Sequence, residues 1–388
     1  MTNKERFLNA MTDEKVDRVP VWLREGFERL GSTPDKNDFM TGWKADREYL
    51  ELYEYMYPHI TFVERWQASG FNRFLMIPER YIHVKERMIS KDVMRIEGTI
   101  KTRKNDLTFL GEVRRGNKTS WRLKEPAETM DDLVSIIEMP FEIDTESVEK
   151  CITESYGKVH RDTRDNGVLN LFISSPIVTI SGSLPFETFL ELSITEKDMM
   201  HQLLKEITRR NLLLIDAHFK NRNLDTIVIL GGSEQCTPPM MSPESFVEYV
   251  VPYDKPIVKR LKEYGIPVQC HCHGRIKHAL PGMIEIGYDS TDPVEPPPAG
   301  DVTYSEAREL ADGKITLLGN LEWDELECSE PGHIKKRVRN ILETGTDRLI
   351  LSASAGPISK ISSKLVDNYR AWIDTVNEFY DSDRVKSK

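Results

Sequence analysis

The sequence predicts an α/β protein: a (β/α)8 TIM barrel with an N-terminal helical segment and a β-hairpin insertion, in one domain covering residues 1–388. Two observations carry that expectation. From Gly167 onward, short apolar runs alternate with capped helical stretches, the pattern of a parallel sheet wrapped by helices. Polar and titratable residues recur just after those runs, at the strand ends where such barrels build their sites. The number of strand–helix units favours a closed barrel over an open sheet. No G-x-G-x-x-G follows a strand, so a dinucleotide fold has no direct support.

Taken in order, Thr2 can cap a first helix ending near Met11, and VPVWL then reads as a strand. Residues 44–57 look helical, and HITFVER is the second strand. Over residues 81–123 the pattern changes to short, charged, alternating stretches (RYIHVKERM, VMRIEGTIKT, LTFLGEVRR, TSWRL). These predict antiparallel hairpins with an exposed face, inserted into the main fold. GVLNLFIS is a strand, and Thr195 with Asp198 predicts the capped start of a long helix running to Phe219. TIVILGG is a strand, and Ser242-Pro243 starts a helix that Pro252 and Pro256 must break or kink. PVQCHCHG is a strand, Thr303 with Glu306 starts a helix ending at Gly313, and ITLLGN is a strand. Ser329 opens a helix that stops at Gly345, RLILSAS is a strand, and residues 360–380 form the last helix.

Composition narrows the class. Of the 388 residues, 39% are hydrophobic and 30% charged, enough apolar material for a large core. The net charge of −10 and the lack of a basic block argue against a nucleic-acid partner. Cys151, Cys236, Cys270, Cys272 and Cys328 are odd in number and fit no disulfide framework. With no apolar signal core and no run of membrane-spanning length, the expectation is a cytoplasmic protein without a membrane association.

The strand ends hold Glu234 and Cys236, His271 and His273, Asp292 and Glu295, Asn320, and Ser352 and Ser354. His271 and His273 are the sharpest feature. Two apart on a strand, they share a face, with Cα atoms roughly 6.6 Å apart, close enough for two imidazoles to meet on one metal ion. Hydrogen bonding to substrate or to each other is the alternative. Glu234 and Glu295 are each a helix cap or loop salt bridge, or else a further ligand or general base. Cys236 is a possible ligand, though a lone cysteine also suits the core.

These residues and the stretches GSLPFETFLEL, MSPESFVEYVVPY, LLGNLE and ILSASAGP resemble the uroporphyrinogen decarboxylase superfamily. The opening MTNKERFLNAMTDEKVDRVPVWL is similar to that group's N-terminal helix and first strand. The resemblance spans residues 182–380 together with the opening and implies a (β/α)8 barrel. Its two branches differ at the site. The zinc-dependent methyltransferases that act on methylated cobamides carry H-x-C-G, in which the histidine and cysteine bind zinc. Here His271 matches and His273 stands where the cysteine would be. That branch's third ligand, a cysteine after the last strand, falls on Ala355 or Ser354. Any ion would then need Glu234, Cys236, Asp292 or Glu295. The decarboxylases carry two arginines four apart, whereas Arg24 and Arg29 are five apart, and their late histidine is replaced by SASAG.

The resemblance therefore implies a metal-assisted methyltransferase moving a methyl group between a methylated cobamide and a thiol or pterin acceptor. It would use one zinc ion on His271 and His273, Glu295 and Glu234 as catalytic carboxylates, and Arg24, Asn320 and Ser354 as substrate contacts. The corrinoid would be a free substrate or carried on a partner protein. The alternatives are a uroporphyrinogen decarboxylase holding substrate carboxylates on Arg24 and Arg29, and a non-catalytic corrinoid or tetrapyrrole binder.

Overall fold

The computed structural model describes residues 1–24, 26–29, 33–163 and 167–386. The first helix, Asn3–Met11, starts in a capping box: Thr2 Oγ1 accepts from the Glu5 N–H, and the Glu5 carboxylate accepts from the Thr2 N–H. Its buried face, Phe7, Ala10 and Met11, packs with Trp22, Val168, Ile227, Ile229, Leu318 and Ile350. Those partners come from alternate positions of different strands, so the helix plugs the lower end of the barrel.

The strands, in chain order, are β1 (Val21–Trp22), β2 (Phe62–Arg65), β3 (Ile82–Ser90), β4 (Val93–Lys101), β5 (Asp106–Arg114), β6 (Ser120–Lys124), β7 (Gly167–Ser174), β8 (Ile227–Gly231), β9 (Val268–His271), β10 (Ser290–Val294), β11 (Thr316–Leu321) and β12 (Leu349–Ala353). Among the described residues, eight parallel strands form one sheet in the order β1-β12-β11-β10-β9-β8-β7-β2. The Thr61 N–H donates to the Val21 carbonyl at 2.8 Å, which ties β2 to β1 and brings the sheet nearly to closure. The predicted barrel is present. Apart from β2, its strands are largely buried on both faces, which is why they read as continuous apolar runs in the sequence.

The predicted hairpins are also present. β3 to β6 form a separate antiparallel sheet. Ile100, Leu107, Phe109 and Val113 are buried, whereas β3 is largely exposed. Gly98 is required here: a Cβ would come within 1.9 Å of the Phe109 ring that crosses it. The insertion is tied to loops at the barrel mouth. Gly116 N–H donates to the Phe39 carbonyl, Lys118 N–H to the Ile358 carbonyl, and Arg122 Nη1 to the Gly182 carbonyl.

Three local expectations need correction. The long helix is Lys197–Phe219, and Thr195 does not cap it. Thr195 Oγ1 donates back to the Glu191 carbonyl and so closes the preceding helix, Phe186–Thr195. Near the prolines the break falls at Val250, between Glu244–Tyr249 and Val251–Glu263. Pro252 then sits in the first turn, where its missing N–H costs nothing, and Pro256 lies inside the helix. The helix expected to open at Ser329 is Pro331–Glu343, with Glu330 at its N-cap.

Candidate functional site

The barrel interior changes character from bottom to top. Above the apolar layer that contacts the first helix lie Asn170, Gln269 and Asp292, all buried. Asp292 gathers three partners there. Its Oδ1 accepts from Gln269 Nε2 at 2.6 Å, its Oδ2 faces His271 Nδ1 at 3.1 Å, and Arg24 Nη1 forms an ion pair with it. Arg24 is only 4% exposed, lies 4.7 Å from the centroid of the Trp22 ring, and holds a positive φ of 71°. With Asp292 paired to that guanidinium as an acceptor, its contact with His271 is satisfied by a proton on Nδ1.

His271 is a neutral imidazole. Burial, then the positive fields of Arg24 and His273, push its pKa well below the ordinary histidine value. With Nδ1–H given to Asp292, the Nε2 lone pair is the open face of the ring. β9 ends at His271, so His273 lies two residues beyond the strand and strict strand alternation does not carry to it. The rings still meet, with centroids 4.8 Å apart at 89°. His273 repeats the arrangement of its neighbour: Nδ1 lies 2.8 Å from Glu295 Oε1, and Glu295 Oε2 accepts from the Gly274 N–H. Burial works to raise the Glu295 pKa, but the hydrogen bond and charge of His273, the Gly274 N–H and Arg24 outweigh it and hold the carboxylate below its usual range.

Two further carboxyl groups stand in the field of His273 and Glu295. Glu234, in the 3-10 turn after β8, has its pKa raised by burial and by Glu295, against the pull of His273 and of backbone N–H groups. Glu322, immediately after β11, is raised by burial and by Glu295 as well. Its Oε1 accepts from Ser354 Oγ at 2.8 Å, and Ser354 Oγ in turn accepts from the Trp323 N–H at 2.9 Å. The Oε2 atoms of Glu234 and Glu322 are both buried with no hydrogen-bond partner among the described residues. Glu322 was visible in the sequence only as part of LLGNLE. Its position one residue beyond a strand was the signal that could have found it.

The other expected residues are placed as follows. Asn320 is 1% exposed; its Nδ2 donates to the Val294 carbonyl, and its Oδ1 accepts from Arg337 on the helix Pro331–Glu343. Asn320 and Ser354 thus hold the wall of the mouth together. Arg29 donates its backbone N–H to Glu64, whereas Arg24 pairs with Asp292. Cys236, Cys270 and Cys272 are packed in the main hydrophobic core, and burial pushes all three thiols up. Arg65, absent from the sequence-based candidates, lies 4.7 Å over the Phe172 ring, which meets His271 edge-on. A cleft of about 710 Å3 opens beside the mouth, between Arg122 and Lys124 of the insertion and loop residues that include Gly182 and Gln235.

The two histidines fit a metal ion in one respect. Each has Nδ1 against a carboxylate, and among the described residues no hydrogen bond is found at either Nε2, the arrangement that orients metal-binding imidazoles. Among the described residues no group of three His, Cys, Asp or Glu side chains is already gathered to hold an ion. No described helix is long and apolar enough to cross a membrane.

The sequence profile of the family Uroporphyrinogen decarboxylase (URO-D) matches residues 112–379. No curated protein matches the chain. Among solved structures, a methyltransferase from Methanosarcina mazei superposes with a TM-score of 0.63 at 16% identity, covering 98% of this chain and 99% of that one. At that identity the likeness establishes a shared fold. A B12-independent methionine synthase from Shewanella sp. W3-18-1 covers 95% of this chain and 96% of its own at 11% identity, with a TM-score of 0.41, too loose to inform the site.

Proposed function

Since the chain belongs to the uroporphyrinogen decarboxylase family, we propose that it is an enzyme that transfers a methyl group between a methylated cobamide and a thiol or pterin acceptor. One divalent ion, zinc, would assist on His271 and His273. The observation that carries this reading is the pair of imidazoles at the barrel mouth, each locked by a carboxylate at Nδ1 and open at Nε2. Decarboxylation of a porphyrinogen has no use for such a pair. It would also need Arg24 for substrate carboxylates, and Arg24 is committed to Asp292. The full-length fold match to a methyltransferase is consistent with the proposal.

In this reading His271 and His273 hold the ion through Nε2, while Asp292 and Glu295 keep both rings in the metal-binding tautomer. When bound, zinc lowers the pKa of an acceptor thiol so that it reacts as the thiolate. Glu234, whose carboxyl is raised by burial, would take the thiol proton. The sulfur lone pair forms the new S–C bond, and the electron pair of the methyl–cobalt bond stays with cobalt. The walls of the mouth align the two reactants and exclude water. A corrinoid carried on a separate protein would reach the mouth through the cleft beside the insertion.

The test is an assay of purified protein with methylcobalamin and a panel of thiols and pterins, before and after chelation. Chelator-sensitive demethylation is expected, and His273→Ala should abolish it and lower metal content while the far-UV spectrum stays that of a folded barrel. Conversion of uroporphyrinogen to coproporphyrinogen by metal-free protein would overturn the assignment.

A further inference from the structure

The end of the barrel opposite the histidines holds another cavity, of about 330 Å3, at the small end of the range for ligand pockets. Three segments line it: the start of the first helix with Asn3 and Arg6, residues 18–20 leading into β1, and Pro58 with His59 ahead of β2. The last helix, Ser363–Lys386, adds Asn377, whose side-chain amide contacts both Arg18 and His59. Methyl transfer at the mouth makes no use of this cavity.

Its polar groups are arranged for an anion. Arg6 is 8% exposed and is matched by Asp17: Nε donates to Oδ1 at 2.6 Å and Nη2 to Oδ2 at 2.9 Å. Arg18 has no such match. Its Nη2 donates to the neutral Asn377 Oδ1 at 2.7 Å, and among the described residues no hydrogen bond is found at its Nε or Nη1 and no carboxylate pairs with it. Asp17 and Asp381 reach it only through their charge, while burial and the charge of Arg6 work against its charged form. Because Arg18 can only donate, it turns the Asn377 oxygen toward itself and the amide nitrogen toward His59 Nδ1, 3.4 Å away. Burial and then Arg18 hold His59 below the ordinary histidine value, against the pull of Asp374, so the ring is neutral. Its Nδ1 accepts from Asn377, and its proton sits on Nε2, where no partner is found among the described residues.

We propose that this cavity binds the phosphate group of a small ligand, free phosphate or a phosphate monoester, on Arg18 and the His59 Nε2–H with Arg6 behind them. A tetrahedral oxyanion offers acceptor oxygens in several directions at once, which suits a guanidinium and an imidazole N–H that arrive from different segments. The cavity also borders the first turn of the nine-residue helix Asn3–Met11, where the dipole favours an anion, and the acid of that turn, Glu5, is held in the capping box by the Thr2 N–H. A bound phosphate supplies the negative charge that Arg18 lacks and ties the first and last helices to the base of the barrel. The site is independent of the metal reading.

The experiment titrates the full chain with inorganic phosphate and with glycerol phosphate, using sodium chloride and acetate at matched ionic strength as controls. Affinity is read by calorimetry, and melting temperature and folding by circular dichroism. Phosphate or its ester should raise the melting temperature saturably, and chloride and acetate should not. Arg18→Gln should weaken binding about tenfold or more, since it removes a charge-assisted hydrogen bond. Asn377→Asp, which sets a carboxylate against Arg18 and His59, should weaken it as much, and it carries the test alone if Arg18→Gln loses its fold. Arg115→Gln, on the exposed surface of the insertion, should stay within about threefold of wild type. Tighter binding of the ester identifies a phosphorylated metabolite as the occupant, and equal or tighter binding of phosphate identifies the free ion. Stabilisation no greater than that by chloride, or wild-type phosphate affinity in folded Asn377→Asp, overturns the site.

Discussion

Two clusters of charge sit around the barrel mouth, and they are balanced differently. On the side of β1 and β2, Glu28 is clamped between Lys44 and Lys118. Burial works against its charge, but the two ammonium groups outweigh it and hold the Glu28 pKa at about 2. Lys118 belongs to the insertion, so this cluster is a staple joining the hairpin sheet to the barrel. On the side of β9 to β11, the carboxyl groups of Glu234, Asp292, Glu295 and Glu322 stand with two histidines and, among the described residues, one buried guanidinium, Arg24. Two of those carboxyl groups keep an open, buried oxygen. Where every charge has its partner, the cluster holds structure. Where carboxylates exceed cations, the cluster is the one for which we propose a bound ion.

The largest test of that contrast is at Asp292. Its pair with Arg24 is almost fully buried, with side chains 3% and 1% exposed. Asp292→Ala strands a guanidinium inside the barrel and should cost about 3–5 kcal/mol in denaturant unfolding, because an unpaired buried charge is far costlier than the pair was stabilising. It also frees the His271 tautomer, so metal affinity should drop with stability. A variant as stable as wild type would show that the carboxylate-rich side is not organised around this residue.

The middle test is at Glu28. Its side chain and that of Lys118 are each 31% exposed, so solvent screening discounts the pairing strongly. Glu28→Gln should cost about 1–2 kcal/mol, loosen the insertion to limited proteolysis, and leave metal content unchanged. The pH signature follows from the depressed pKa: the contribution is present above about 4.5 and is lost as pH falls toward 2. Loss of metal in Glu28→Gln would mean that the two clusters are one.

How far this was legible in the sequence depends on whether neighbours in space were also neighbours in the chain. β7 reads directly from GVLNLFIS, because a strand buried on both faces is a bare apolar run. The histidine pair reads from spacing at a strand end. The division of labour among carboxylates does not, because it is set by strand order. Asp292 orients His271 because β10 pairs with β9 in a register that puts the two side by side, and no local signal reports that register. Glu322 was passed over because the group that fixes its carboxylate is Ser354, just past the end of β12 and 32 residues away in sequence. Thr195 misled for the opposite reason: its pattern is that of a cap, but the hydroxyl bonded backward to Glu191.

Glu64 gives the smallest and most selective test, because it breaks the rule of its own side. It lies next to the stapled cluster at the end of β2, yet its pKa is raised to about 7. Burial is the main cause and the negative charge of Glu28 adds to it, while the Arg29 N–H, Lys44 and Arg29 pull the other way without prevailing. The two lysines are spent on Glu28, so the same pairing that stabilises one carboxylate leaves the next without a counter-ion. A raised carboxyl pKa contributes stability that is full below about 4.5 and is lost as pH rises through 7. Between pH 5 and 8 the Glu28 contribution is constant, so any slope from this side of the mouth belongs to Glu64. Glu64→Gln keeps an oxygen to accept the Arg29 N–H and removes the charge. Its melting temperature should therefore match wild type near pH 5 and exceed it at pH 8, by about 1 kcal/mol of stability. A parallel pH dependence for the two proteins would show that Glu64 finds a cation in solution, and that the shortage of positive charge is confined to the histidine side.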